Sequence, residues 1–368
     1  MSKIYGLVGC GMMGAEHIKN VALIDGASIG CVFDPVAEQA HFGASLAGDA
    51  RIAKSLDDLI TQPDLDAIVI ASPNNLHMEQ MERIARQRNI PVLCEKPLFT
   101  EQADINRIRQ LEAHYAAPIW VAMEYRYMPP VAAFLDRVDA ATGGIKMLTM
   151  QEHRFPFLDK IGHWNRFNRN TGGTFVEKCC HFFDLMRLIL KSEPVSVTAT
   201  AGQMANHLDE DYGGEPPDIW DGGYVIFDFE NGARALLELS MFADGSTWNE
   251  KIHAIGPTGM IECRVPGPQR FWPEDIGPSP HPQLEMSPRN PKRPEILEVE
   301  LDDALTDAGD HHGSTFFQHQ KFLEMIQTGG RPEVTLDDGL RAVVMGLNAQ
   351  TAATEKRFVD FDPDKVPA

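Results

Sequence analysis

Residues 176–185 read VEKCCHFFDL, which places a glutamate, a lysine, two adjacent cysteines, a histidine and an aspartate within ten positions. Three chemistries compete for such a set. Glu177 and His181 are four apart, so a helix would carry both on one face, with Asp184 three further along on the same face. That pattern suits acid/base work, because histidine titrates near neutrality and a neighbouring carboxylate orients it and raises its basicity. A zinc site needs three or four converging ligands, and Cys179 and Cys180 project about 100° apart on a helix. No metal site is expected. A vicinal redox pair would be strained and out of place in a reducing compartment. Two thiols packed in a core helix is the simpler account.

A second group lies at the start of the chain. GCGMMG sets Gly9, Gly11 and Gly14 in a G-x-G-x-x-G pattern between a strand-like run and a helical one, with Met12 and Met13 inside it. The first glycine permits a tight turn, the second lets backbone approach a pyrophosphate, and the third lets helix pack on strand. The helix N-terminus then offers free N–H groups to the phosphates. Asp34 closes the next strand-like run, about twenty residues on, where a carboxylate accepts the ribose hydroxyls and repels a 2′-phosphate. The expected cofactor is therefore NAD rather than NADP. Glu95 and Lys96, in CEKP, end a later strand-like run on the side where such sheets bind ligands. Lys96 there can hold and polarise a substrate hydroxyl; the competing reading is a solvated surface lysine.

These groups need a frame to meet. KIYGLVG, ASIGCVFD, LDAIVIAS, IPVLCEKP and APIWVAME read as strands, and helical patterns such as LHMEQMERIARQR separate them. Strand–helix alternation at this spacing implies a doubly wound parallel sheet, a Rossmann domain over residues 1–123. From 124 to 368 the character changes. A helix near 131–141 and the one bearing VEKCCHFFDL are followed by six strand-like runs from IKMLTMQEHRF to GMIECRV, with few helices between them. This predicts an α+β domain with a large, mostly antiparallel sheet. An acidic 206–218 stretch and a proline-rich 264–295 stretch read as long loops, and two helices follow.

The bulk composition sets limits. The 368 residues exceed one ordinary core, and 43% hydrophobic with 23% charged residues suits a globular protein. Lys and Arg number 33 against 53 Asp and Glu, a formal charge of −20. Nucleic acid and anionic membrane surfaces are poor partners for such a chain. No apolar run has the length of a membrane span, and the start shows no basic leader, so a cytoplasmic protein is expected. Six cysteines without C-x-x-C spacing make neither a disulfide framework nor a usual zinc site.

GCGMMG, ASPNNLH (residues 71–77), VLCEKPL and GGTFVEKCCHFFDL, in this order and spacing, resemble the glucose–fructose oxidoreductase / inositol dehydrogenase / MocA family. The closing FFQHQKFLEMIQTGGRPEVTLDDGLRAV is similar as well, so the resemblance covers nearly the whole chain. It implies NAD(P)-dependent oxidation or reduction of sugars and polyols, and a sheet used for homo-oligomer contacts, in a dimer or tetramer. It adds Ser72, Asn74 and His77 to the residues that hold the cofactor. It also makes Lys96, Glu177 and His181 the catalytic set, with Gly172 and Gly173 leading into their helix. The chain departs from the family in having glutamate where aspartate is usual at 177 and Cys179 where a small residue is common. Tyr125 and Arg126, after the fifth strand, and Trp164, Asn165 and Asn168 are candidates to contact a polyhydroxylated substrate; a structural ion pair for Arg126 and an ordinary polar loop for the other three are equal alternatives. His311 and His312 read as surface residues before a helix. Two other readings keep the nucleotide fold: transient oxidation that cleaves or epimerises a sugar, and a non-catalytic nucleotide sensor.

Overall fold

The computed structural model describes residues 2–365. Strands β1 (Lys3–Val8), β2 (Ala27–Phe33), β3 (Arg51–Ile52), β4 (Ala67–Ile70), β5 (Val92–Cys94) and β6 (Ile119–Val121) form one sheet in the order β3-β2-β1-β4-β5-β6. Every pair in it is parallel. Helices cover both faces, which is why β4 reads AIVI and is buried throughout. The order reverses between β1 and β4, and the crevice at their carboxyl ends is where such sheets take ligands. β3 was not expected from the sequence. Its two residues are too few to carry a periodic pattern.

The second sheet joins β7 (Met147–His153), β8 (Pro194–Gly202), β9 (Gly222–Phe229), β10 (Arg234–Ser240), β11 (Trp248–Ile255), β12 (Gly259–Pro266), β13 (Gln283–Pro288), β14 (Glu295–Glu298) and β15 (Val359–Asp360). Its order is β14-β13-β12-β11-β7-β10-β9-β8-β15, and only β7 and β10 run parallel. The six runs read from the sequence are β7 to β12. The proline-rich 264–295 stretch is a correction, because it contains β13. Leu284 is buried opposite Cys263 there, and Pro288 ends the strand, where a missing N–H costs little.

Alternate residues of this sheet, such as Val225, Phe227, Leu237 and Ile252, pack with Phe182, Phe183 and Met186 into a second core. Phe183 meets Phe227 edge-on at 5.3 Å between ring centroids. The expected helix near 131–141 is two, Pro129–Leu135 and Val138–Thr142. The last long helices, Ser314–Thr328 and Leu336–Glu355, return to the first sheet. Phe322, Leu340 and Val343 belong to the first core, while Met345 and Ala349 belong to the second. One helix thus stitches the two cores together. Among the described residues, no helix is long and apolar enough to cross a membrane.

Candidate functional site

The glycine turn has the geometry its pattern demands. Gly9 sits at φ +92°, and a Cβ there would lie 2.6 Å from the Ala71 carbonyl oxygen at the end of β4. A Cβ on Gly14 would lie 2.1 Å from the Gly9 carbonyl oxygen, so only glycine lets the helix start this close to β1. At Gly11 a Cβ would meet nothing within 4 Å, leaving the backbone open to a ligand's approach. The Asp34 carboxylate accepts N–H bonds from Cys10 and Val36, both at 2.8 Å, one on each oxygen. Each oxygen keeps a further lone pair for a ribose hydroxyl. Asp34 therefore fastens the turn to β2 as well as offering a sugar contact. These features fit a dinucleotide.

At the ends of β4 and β5 the candidates divide. Ser72 donates to Gln80 (2.7 Å), and the amide nitrogen of Asn74 is buried with no partner. His77 is fully enclosed, its ring nitrogens 2.8 Å from the Pro97 carbonyl and 3.0 Å from that of Ser72. Burial lowers its pKa, and the ring lies between the loops that follow β4 and β5. Glu95 is also buried. It accepts the Lys96 N–H at 3.1 Å and pairs with His17 at 2.9 Å. Burial opposes both charges, yet their mutual attraction wins, raising His17 and lowering Glu95. His17, three residues past Gly14, went unnoticed in the sequence, although it locks the glycine-turn helix to the strand end that carries Lys96. Its signal was an ionisable residue on the inward face of an otherwise packed helix.

VEKCCHFFDL is not one helix. Thr174–Glu177 and Cys180–Leu190 are separate, with Lys178 and Cys179 as the joint. A single helical face for Glu177 and His181 is therefore a correction. Glu177 lines a cavity together with Met12, Met13, Lys96, Tyr125 and Lys178, while His181 does not. The His181 ring stacks flat on Tyr125, with centroids 4.0 Å apart and planes at 5°. Its Nδ1 has no partner. Burial, then Lys96, Lys178, His311 and Arg154, push its pKa well below the usual value. The expected rise in basicity is reversed, because cations rather than a carboxylate surround the ring. Asp184 does not orient it: that carboxylate is held by the Arg126 guanidinium, with Nε to Oδ2 at 2.6 Å.

Around the cavity, charge is shared unevenly. Lys178 reaches the buried Glu152 at 2.8 Å and the Tyr125 hydroxyl at 2.6 Å. Lys96 donates to the Glu177 carbonyl oxygen at 3.3 Å. Burial raises the Glu177 carboxyl, with Lys96 and Lys160 opposing the rise. Burial and then Glu152 push Glu250 up to about 7. All six cysteines are free and buried, and burial lifts Cys180 to about 12 and Cys179 well above its usual value.

His311 is a further correction. It lines the cavity, its Nδ1 3.0 Å from Glu16 and 3.4 Å from Glu124, and His312 is buried against the Pro266 carbonyl at 2.9 Å. Burial opposes a charge on His311, but Glu124 and Glu16 outweigh it and raise the pKa to about 9. Burial likewise opposes ionisation of Glu16, yet His311, Thr315 and His17 bring it to about 2. Glu16, Glu124 and His311 form the one carboxylate–histidine cluster close enough for a metal among the described residues. Of the expected substrate contacts, Tyr125 and Asn165 line the cavity; Arg126, Trp164 and Asn168 do not. Arg126 is committed to Asp184, and Asn168 is bonded to Asp218 through its backbone N–H (2.7 Å) and its side chain (2.9 Å). Arg154, Lys160, Lys178, Asn249 and Glu250 line the cavity without having been singled out. They come from three separated stretches, 154–160, 178 and 249–250, which the fold of the second domain brings together.

The chain has relatives among known proteins. The chain is 25% identical over 374 residues to the inositol 2-dehydrogenase of Rhizobium meliloti (strain 1021), covering 98% of this chain and 100% of that protein. It is 23% identical over 369 residues to the myo-inositol 2-dehydrogenase of Thermotoga maritima, covering 97% and 98%. Its fold matches an oxidoreductase from Agrobacterium radiobacter crystallised with NAD+, L-tartaric acid and magnesium, at a TM-score of 0.79 and 19% identity over 98% of each chain. Residues 3–123 match the NAD-binding Rossmann fold of the GFO_IDH_MocA oxidoreductase family, and residues 141–361 match that family's C-terminal alpha/beta domain. This chain is a member of the GFO/IDH/MocA oxidoreductase family, with NAD as its cofactor.

Proposed function

We propose that the protein oxidises one carbinol carbon of a sugar, cyclitol or related polyol, reducing NAD. The observation that carries this reading is the shared cavity: Met12 and Met13 of the glycine-turn helix and Lys96 of β5 line it with Glu177 and Lys178 of the second domain. A dinucleotide laid along Gly9–Gly14 and reaching the end of β5 would present its reactive end to that cavity. Bound NAD supplies the acceptor for the hydride that leaves the carbinol carbon.

The chain supplies the rest. Lys96 turns its ammonium from the Glu177 carbonyl to the reacting oxygen and polarises it. His181 is neutral, because burial and the nearby cations oppose the imidazolium, and it has a ring nitrogen without a partner. Lys96 lines the cavity and is the group we assign to the oxygen, while His181, stacked on the cavity residue Tyr125, is the assigned acceptor of the proton. Glu177 shapes the same pocket and shifts the local charge. Asp34 favours NAD over NADP by repelling a 2′-phosphate. The exposed Tyr224 and Ile226 on the second sheet suit a contact between copies of the chain, and six free thiols suit a reducing compartment.

Absorbance of NADH across a panel of sugars and cyclitols tests the reading. Net accumulation with at least one of them is the expected result. Conversion of substrate without net NADH would favour transient oxidation, and no conversion in an NAD-loaded protein would contradict the proposal.

A further inference from the structure

The loop after β7 separates its charges. Asp159 turns outward to Arg166 at 2.7 Å, and Asn165 fastens the loop by donating to the Leu158 carbonyl at 3.0 Å. Lys160, next to Asp159, lines the cavity instead, and the ensuing bend holds His163 at φ +52°. Among the described residues, the Lys160 ammonium has neither a hydrogen bond nor an ion pair, while the backbone carbonyl of Lys160 accepts the His163 N–H at 2.8 Å. Burial lowers its pKa, Glu177 supports its charge, and Lys96 opposes it.

The other cations of the cavity are only partly balanced. Lys178 and Arg154 share one buried carboxylate, Glu152, at 2.8 and 3.5 Å. Lys96 has no carboxylate within ion-pair distance among the described residues. Of the carboxylates that line the cavity, Asp310 is committed to Arg270. Glu177 and Glu250 are both pushed by burial toward their neutral forms. A half-buried ammonium without a partner is costly, and an anionic ligand removes that cost. Asn165 and Asn249 line the same space, and the Asn165 carbonyl oxygen is buried without a partner, ready for a hydroxyl.

We propose that the preferred substrate is a polyhydroxylated acid, an aldonate or uronate, whose carboxylate is received by Lys160 and Arg154 while its reacting carbinol faces Lys96. This rests on the dehydrogenase reading and names the substrate class of that site. Neutral cyclitols would leave Lys160 unpaired. A charge-assisted hydrogen bond of the usual strength is worth roughly tenfold or more in affinity.

The test is calorimetric titration of the NAD-loaded full chain with gluconate, galactonate and glucuronate against glucose, galactose and myo-inositol, with NADH followed in parallel. The acids should bind at least about tenfold tighter. Lys160→Gln should erase that preference, and Lys160→Arg should retain most of it. Equal or tighter binding of the neutral compounds, an acid preference untouched by Lys160→Gln, or no binding of any acid overturns the inference. The two failures separate. NADH from neutral polyols alone leaves the dehydrogenase reading intact while the inference falls. Lys160-dependent binding of acids with no NADH from any compound does the reverse.

Discussion

Asp34 shows how one residue serves two ends. Its carboxylate is read from sequence as a ribose contact, yet both oxygens already hold backbone N–H groups at 2.8 Å. Asp34→Ser should therefore narrow the NAD-over-NADP ratio of kcat/KM by about tenfold. It should also lose about 1–3 kcal/mol of stability as the glycine turn loosens. Kinetics with both cofactors and a denaturant titration measure the two effects, and an unchanged ratio would contradict this role. His311 carries a second expectation. Its folded pKa of about 9 lies above the ordinary 6.5, so its contribution to stability is complete below pH 6.5 and is lost as pH rises through 9. The groups that set it are Glu16, Glu124 and Lys178. Melting temperature should fall more steeply between these pH values in the natural protein than in His311→Gln. Parallel curves would refute the imidazolium bridge.

At the scale of elements, the helix Cys180–Leu190 is placed by charge as much as by packing. Arg126 joins Asp184 across a buried boundary, side chains 11% and 1% exposed. Arg126 also lies 3.6 Å from Asp338, which closes the capping box of the helix Leu336–Glu355 with Thr335. Arg126→Met should cost about 3–5 kcal/mol, because it strands a buried carboxylate, and Arg126→Met with Asp184→Leu should recover part of the loss. Chemical denaturation decides, and a single variant as stable as the parent would refute the argument. The same helix shows what sequence can reveal. β1, β2, β4, β5 and β6 and the glycine turn were legible, because buried parallel strands are unbroken apolar runs and the turn demands glycine. The break at Lys178–Cys179 was not, since both residues keep near-helical backbone angles and leave no proline or glycine as a mark. β13 hid behind prolines that lie at a strand end. Lys96, Glu177 and His181 were picked out by the family resemblance, with spacing in support, but the surroundings of His181 were misjudged, because its burial and the approach of Lys96, His311 and Arg154 from other elements leave no mark in the local sequence.

Across the whole molecule, a chain of formal charge −20 keeps a cavity walled by Lys96, Arg154, Lys160 and Lys178 between its two cores. The helix Leu336–Glu355 belongs to both cores, so the glycine turn and the second sheet are held in fixed relation. On the proposed function, that relation lets Lys96 and His181 act on one carbinol, and their joint action is the central claim. It is tested most directly by rapid mixing of NAD-loaded protein with the fastest compound of the polyol panel, following NADH in a single turnover. Lys96→Ala and His181→Ala should each slow that turnover by about 10²–10⁴-fold while leaving NAD affinity within about threefold. NADH formed at the parent rate by either folded, NAD-binding variant would contradict the account.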